Sequence, residues 1–281
     1  MPWKLLTAPE HLPTVGPEML VALDVDGTII THGGECYPEV FEAVRRVVDA
    51  GAHVVIATGR GPESTGPVLE MLGLTAGYAV SSNGAITLEV DGGLEGGYRL
   101  LDVVTFPPEP TLRRLRELLP TALFMVEDGQ ARRWVTQPFP PGEVLGTPIV
   151  LDFEELCRLP ASRVTLRAPD LNSADVHSLL LDAGLHGVSY SVGWTAWVDI
   201  APAGVSKATA LERIREHLGL SPFATVAVGD GHNDHEMLDW ASWSVAMGQA
   251  WRDTQLHAQA IAPAVEDRGL AAVLNSLRFR H

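Results

Sequence analysis

Asp24 and Asp26 stand one residue apart at the end of an apolar run, LVAL at 20–23, and are followed at once by Gly27 and Thr28. Two carboxylates at the end of a hydrophobic strand cost free energy unless a cation answers them. Polar or charged residues end three further apolar runs: Thr58 after AHVVIA, Asn83 after YAVSS and Asp230 after FATVAVG. Lys207 enters near them from a helix start, in GVSKATAL. In open parallel sheets, ligands bind beyond the carboxyl ends of the strands. Four such ends with polar groups describe one ligand pocket, rich in acid and in need of a cation.

The elements that must position these residues follow two patterns. Through residue 84, near-continuous apolar strands (MLVALDV, AHVVIATG, YAVSSNG) alternate with helical stretches (PEVFEAVRRVVDAG and one around GPVLEMLG), the grammar of a parallel sheet covered on both faces. From Ala85 the grammar changes. AITLEV, a glycine-rich turn and YRLLDVVTF read as a hairpin, and PTLRRLRELLP as a helix. The strands ALFMVEDG, ARRWVTQ and RVTLRAP, the helix SADVHSLLLDAG and a hairpin in GVSYSVGWTAWVDIAP follow. This α+β pattern predicts an inserted domain over 85–198. After Ala201 the first grammar returns, through the helix GVSKATALERIREHLG, the strand FATVAVGDG, the helix NDHEMLDWA, the strand SVAMG and a terminal helix in AAVLNSLRF. The fold class is therefore α/β: a doubly wound core over 1–84 and 199–281 with an α+β insertion.

Composition limits the partners. The chain has 281 residues, 46% of them hydrophobic and 20% charged, with a net charge of -15. A phosphate backbone calls for a basic face, so no nucleic-acid partner is expected. A small phosphate ester needs only local positive charge. No run approaches the roughly 18 apolar residues of a membrane span, and the proline-broken start has no apolar core of signal-peptide length. A soluble, cytoplasmic protein is the expectation, of unspecified oligomeric state. Cys36 and Cys157 are isolated and suggest neither a zinc site nor a disulfide. The absence of GxGxxG and Walker A patterns gives nucleotide cofactors no support.

Four of these segments, DVDGT at 24–28, ATGR at 57–60, Lys207 in GVSKATAL and GDGHND at 229–234, resemble in order and spacing the four motifs of the haloacid dehalogenase superfamily. SSNGA at 81–85, AMGQA at 246–250 and the position of the insertion resemble the Cof-type phosphatases with a type 2 cap. Relatives often carry glycine after the motif lysine and asparagine in AMGNA; here these are Ala208 and Gln249. Neither position is expected to carry the chemistry, so the departures bear on fine substrate preference.

The resemblance implies that the cation is Mg²⁺, a hard ion that takes oxygen ligands. Asp24, the backbone carbonyl of Asp26, and Asp230 would ligate it, with Asn233 and Asp234 as further ligands or as supports behind them. Asp24 would attack phosphorus to give an aspartyl-phosphate. Mg²⁺ and Lys207 would both favour its ionised form. Asp26 would protonate the leaving alcohol and then activate water. The Thr58 hydroxyl and Gly59 amide would hold the phosphoryl oxygens, while Arg60 and Asn83 would touch substrate. Gly27 would permit a sharp turn, and Thr28 would support the loop by hydrogen bonding. The implied reaction is hydrolysis of a small phosphorylated metabolite, a sugar phosphate first. Phosphoryl transfer, as in related mutases, and a non-catalytic phosphate sensor are the rivals.

Each residue also has a plainer reading. DVDGT can be a turn, GDGHND an acidic loop with a helix cap, and Lys207 or Arg60 a solvated side chain. Asn83 and Gly84 can be a hinge. His232 reads as an exposed histidine, and Trp194 and Trp197 as packing in the insertion or as a substrate entrance.

Overall fold

The computed structural model describes residues 6–141, 143–144, 147–182, 188–192 and 197–280. In chain order the first elements are β1 (Leu20–Leu23), α1 (Pro38–Asp49), β2 (His53–Ala57), α2 (Pro62–Met71), β3 (Ala76–Ser81), β4 (Ile86–Asp91) and β5 (Tyr98–Val103). Next come α3 (Glu109–Leu118), β6 (Leu123–Asp128), β7 (Arg133–Val135), β8 (Ile149–Val150), α4 (Phe153–Leu156), β9 (Ala161–Arg167), α5 (Ser173–Asp182), β10 (Val188–Val192) and β11 (Trp197–Pro202). The chain closes with α6 (Lys207–His217), β12 (Thr225–Gly229), α7 (His235–Trp240), β13 (Trp243–Ala246), α8 (Arg252–His257), β14 (Ala260–Ile261) and α9 (Gly269–Ser276).

These strands form two sheets. The first has eight strands in the order β14-β13-β12-β1-β2-β3-β4-β5, parallel from β14 to β3. Successive residues of β1 face opposite sides. Val21 and Leu23 pack with α1 and α9 through Val44, Val47, Val273 and Leu274. Leu20 and Ala22 pack with α6 and α7 through Leu211, Ile214, Met237 and Leu238. Strands buried on both faces leave only their ends for polar groups, and all four sequence-predicted ends lie on one edge of this sheet. The second sheet has six strands, β10-β11-β9-β6-β7-β8. Its apolar face, including Phe124, Val126, Val164, Leu166 and Val198, packs with Leu112 and Leu115 of α3 and Val176 of α5.

The division between sheets does not fall at the expected residues. β4 and β5, assigned from sequence to the insertion, pair antiparallel onto β3 and extend the first sheet. At the other end β11, in the second sheet, runs to Pro202. The change of grammar at Ala85 marks a switch from parallel to antiparallel pairing within one sheet. That switch is made by a tight turn in which Ser82, Asn83 and Gly84 all have positive φ (50°, 54° and 100°), a conformation costly for serine and tolerated by asparagine. Gly84 is required there for a second reason: a Cβ would lie 2.1 Å from the Ser206 carbonyl oxygen. The turn thus packs directly on the start of α6, which carries Lys207. Among the described residues no helix is long and apolar enough to cross a membrane.

Candidate active site

Three carboxylates and one ammonium meet where β1, β12 and α6 converge. Lys207, the first residue of α6, is oriented by a capping box between Ser206 and Thr209. Its side chain is fully buried, and Nζ donates to Asp24 Oδ1 at 2.6 Å and to Asp234 Oδ1 at 2.6 Å. Asp234 uses its other oxygen to accept from the backbone N–H groups of Asp230 and Gly231, both at 2.9 Å. Ligand atoms of Asp24, Asp230 and Asp234 lie within 4.8 Å of one another. Gly27, with φ 86°, is the close neighbour that lets Asp230 in: a Cβ there would sit 2.0 Å from Asp230 Oδ2.

The electrostatics expose an imbalance. Burial opposes the charge on Lys207, but Asp234 and Asp24 outweigh it and hold the ammonium well above its usual range. Burial, then Asp234, drives the Asp24 carboxyl well above the ordinary carboxylate range, with Asp230 adding to the shift and Lys207 opposing it. Lys207 favours the ionised form of Asp24, as expected, but by itself it is outweighed by burial and the neighbouring carboxylates. Asp230 is pushed to about 7, by burial first and then by Asp234, against a hydrogen bond from Gln249 and the charge of Lys207. One lysine does not answer three buried carboxylates. The oxygen donors, their closeness and this deficit of positive charge fit a hard divalent cation.

Beside the acids lies the loop after β2. Thr58 is buried, and its Oγ1 accepts from the Arg60 N–H at 3.1 Å, leaving the hydroxyl proton to donate. Arg60 does not point away into solvent. Its Nε and an Nη donate to the two oxygens of Asp26 at 2.9 and 2.6 Å, a bidentate pair. Asn83 Oδ1 accepts from Asn233 Nδ2 at 2.9 Å, and both side chains crowd Gly59, where a Cβ would lie 3.1 Å from Asn83 Oδ1. Lys207, Asp24, Asp230 and Asp234 thus form one cluster; Asp26, Arg60 and Thr58 form a second beside it. Gly59, Asn83 and Asn233 form a third. The Thr28 hydroxyl is buried with no hydrogen-bond partner among the described residues, so the support expected from it is not made.

Two sets of contacts were not foreseen. Gln249, read as peripheral, donates from Nε2 to the Gly27 carbonyl at 2.6 Å and to Asp230 Oδ2 at 3.2 Å, and accepts from Val265 N–H at 3.0 Å. It ties both acid-bearing loops together; the AMGQA motif was the available signal. The second set comes from the six-stranded sheet. Arg163 of β9 donates to the Gly59 carbonyl at 2.6 Å and to Glu127 Oε2 at 3.1 Å. Glu127 of β6, fully buried, also accepts from the Ser82 hydroxyl in the strained turn. Asp199 lies 3.6 Å from Arg163 and accepts from Thr165 at 2.9 Å and from the indole of Trp197 at 3.2 Å. Arg133 of β7 pairs with Glu63 of α2. These bonds join residues far apart in sequence, and nothing in local spacing signals them. Trp194 lies outside the described residues.

An open α/β sheet with an aspartate cluster at its strand ends, faced by the polar side of a second sheet, has the layout of a phosphoryl-handling hydrolase. A family profile of haloacid dehalogenase-like hydrolases matches residues 21–94 and 162–274, more than half of the chain. The chain belongs to that family, and to its Cof-type phosphatases. It is 28% identical over 240 residues to an HMP-PP phosphatase of Serratia proteamaculans, covering 82% of this chain and 84% of that one. It is 29% identical over 251 residues to a phosphoglycolate phosphatase of Natronomonas pharaonis, covering 89% and 92%. Among solved structures, a HAD subclass IIB sugar phosphatase superposes with a TM-score of 0.77 at 20% identity, covering 92% of this chain and 98% of the other. That last similarity speaks to the fold.

Proposed function

We propose that this phosphatase is a Mg²⁺-dependent hydrolase of small phosphorylated metabolites that works through an aspartyl-phosphate on Asp24, with a sugar phosphate the leading substrate. The observation that carries the reading is the buried cluster of Asp24, Asp230 and Asp234 around the Lys207 ammonium. Asp24 and Asp230 would hold the ion, with the Asp26 carbonyl beside them. Asp234, whose oxygens serve Lys207 and two backbone amides, would position rather than ligate, and Asn233 would brace the loop through Asn83. Bound Mg²⁺ would supply the missing positive charge and orient a phosphate.

The remaining steps belong to the chain. Asp24 attacks phosphorus and the P–O bond to the alcohol breaks; Asp26 gives the leaving oxygen a proton. Both Asp26 oxygens are held by Arg60, so releasing one of those two bonds frees an oxygen for that transfer. Water, deprotonated by Asp26, then attacks the phosphorus, releasing phosphate and restoring Asp24. The Thr58 hydroxyl and the Gly59 amide hold equatorial oxygens in the low-dielectric pocket, where such donors are worth most. We assign the eight-stranded sheet and its helices as the catalytic core and the six-stranded sheet with α3–α5 as the cap, in a soluble cytoplasmic enzyme. The relatives named above act on different small phosphates, which supports the class more than any one member.

The test is phosphate release from a panel of sugar phosphates, other phosphorylated metabolites and an aryl phosphate, with and without Mg²⁺. Turnover should require the ion and favour one metabolite group over the aryl ester. Turnover undiminished in chelator, or no turnover on any member, would contradict the reading.

A further inference from the structure

On the outer side of the motif loop lies a second cluster that the phosphoryl chemistry does not use. His232 and His235, three residues apart across the start of α7, and Asp253 in the first turn of α8 offer one ligand atom each, all within 4.8 Å of one another. The rings of His232 and His235 are 5.0 Å apart, and His232 Nδ1 is 3.9 Å from Asp253 Oδ2. His232 is not the isolated surface histidine its sequence position suggests.

The surroundings hold this arrangement. His235 Nε2 lies 2.9 Å from the Thr254 hydroxyl; with that N–H donated, Nδ1 keeps its lone pair. Such a hydrogen bond on the distal nitrogen is how metal-bound imidazoles are usually oriented. His257 stacks on His235 at 4.1 Å with 18° between the planes, and is itself held to Asp239 at 2.8 Å. His232 and Asp253 are exposed, so an ion can enter and water can complete its shell.

Donor type separates this cluster from the carboxylates around Asp24. Imidazole nitrogen suits borderline ions, whereas Mg²⁺ takes oxygen. Bonds of 2.0–2.1 Å in a tetrahedral shell set ligands about 3.3 Å apart, so a small contraction of these side chains would close around Zn²⁺. We propose that His232, His235 and Asp253 form a Zn²⁺-class site distinct from the catalytic acids. Because His232 and His235 flank Asn233 and Asp234, an ion there would pin the turn that presents Asp234 to Lys207.

The experiment titrates Zn²⁺ into the tag-free chain by calorimetry in saturating Mg²⁺, so that the carboxylate cluster is occupied. One tight equivalent per chain is expected. Asp253→Asn and His235→Gln should each weaken it at least roughly tenfold, and the ring-proton NMR signals of His232 and His235 should shift while that of His11 stays. Asp253 sits on the surface, so its variant keeps the test sound if the His235 change unfolds the chain. Absence of binding, or binding unchanged in Asp253→Asn with no shift of the two rings, would overturn the site.

Discussion

Two buried charge clusters face each other in this molecule, and they are built on opposite rules. In the core, Asp24, Asp230 and Asp234 surround Lys207, and burial drives the first two carboxyls upward. In the six-stranded sheet, Glu127 is buried against Arg163, with Asp199 nearby and the Ser82 hydroxyl on its far oxygen. There the guanidinium is held above its usual range: burial opposes its charge, but Glu127 and Asp199 outweigh it. The second cluster pairs its guanidinium with one fully buried carboxylate and one partly exposed one, with only Arg163 Nε left without a partner among the described residues; the first sets one ammonium against three buried carboxylates. A buried ion pair that satisfies itself fixes geometry. A buried set that cannot balance its own charge is a place for a ligand.

The largest expected effect tests the deficit by deepening it. Lys207→Met removes the ammonium that Asp24 and Asp234 share. Breaking such a cluster costs about 3–5 kcal/mol, and kcat should fall by at least roughly a hundredfold as the positioned charge is lost. Denaturant unfolding and steady-state kinetics measure the two losses; a variant as stable and active as the parent would remove Lys207 from the cluster's account.

Arg163→Met makes the parallel cut in the other cluster. It strands Glu127 and frees the Gly59 carbonyl, so stability should again fall by about 3 kcal/mol. Its kinetic signature should differ: a raised KM for the preferred metabolite, with the aryl phosphate affected several-fold less. Equal loss on both substrates would make the Arg163 contact purely structural.

The third prediction concerns pH. Asp230 has a folded-state value of about 7, above its ordinary 3.8, so without a cation it favours the native state at low pH. That contribution is lost as pH rises between 3.8 and about 7. Mg²⁺ needs the ionised carboxylates and should displace their protons. The increase in Tm on adding Mg²⁺ should therefore grow from pH 5 to pH 8. An increase independent of pH would place the ion elsewhere.

Gln249→Leu should have the smallest effect. It removes a hydrogen bond that helps keep Asp230 ionised and loosens the tie to Gly27. Mg²⁺ affinity near neutral pH should weaken by roughly tenfold, the low end of the range for a supporting contact, and recover partly at higher pH. Calorimetric titration at two pH values checks both parts.

Much of the core was legible because its signals are local. An apolar strand ending in Asp24 and Asp26 shows its anomaly within seven residues, and Lys207 follows a serine that caps its helix. The first sheet was legible in its parallel part for the same reason, since strands buried on both faces read as unbroken apolar runs. The β4–β5 hairpin was misplaced because alternation reveals a half-buried strand but not the sheet it joins. The Arg60–Asp26 pair, between the loops after β2 and β1, was unseen as well, and Glu127 and Arg163 were invisible for a related reason. Their partners are set by how two sheets meet, and a charged residue on a strand looks the same whether it meets water or a carbonyl. Gln249 lay between these cases, its motif noticed but its contact unseen.

The central claim is that the acid cluster exists to let Asp24 take up the phosphoryl group. Rapid acid quench of the enzyme with a phosphoryl-labelled substrate and Mg²⁺, followed by peptide mapping, addresses it directly. The label should appear transiently on the peptide containing Asp24, be released by hydroxylamine as acyl phosphates are, and be absent from Asp24→Asn, which should show no turnover. Turnover by Asp24→Asn within about tenfold of the parent, equivalent to some 1.4 kcal/mol of barrier, would contradict the account.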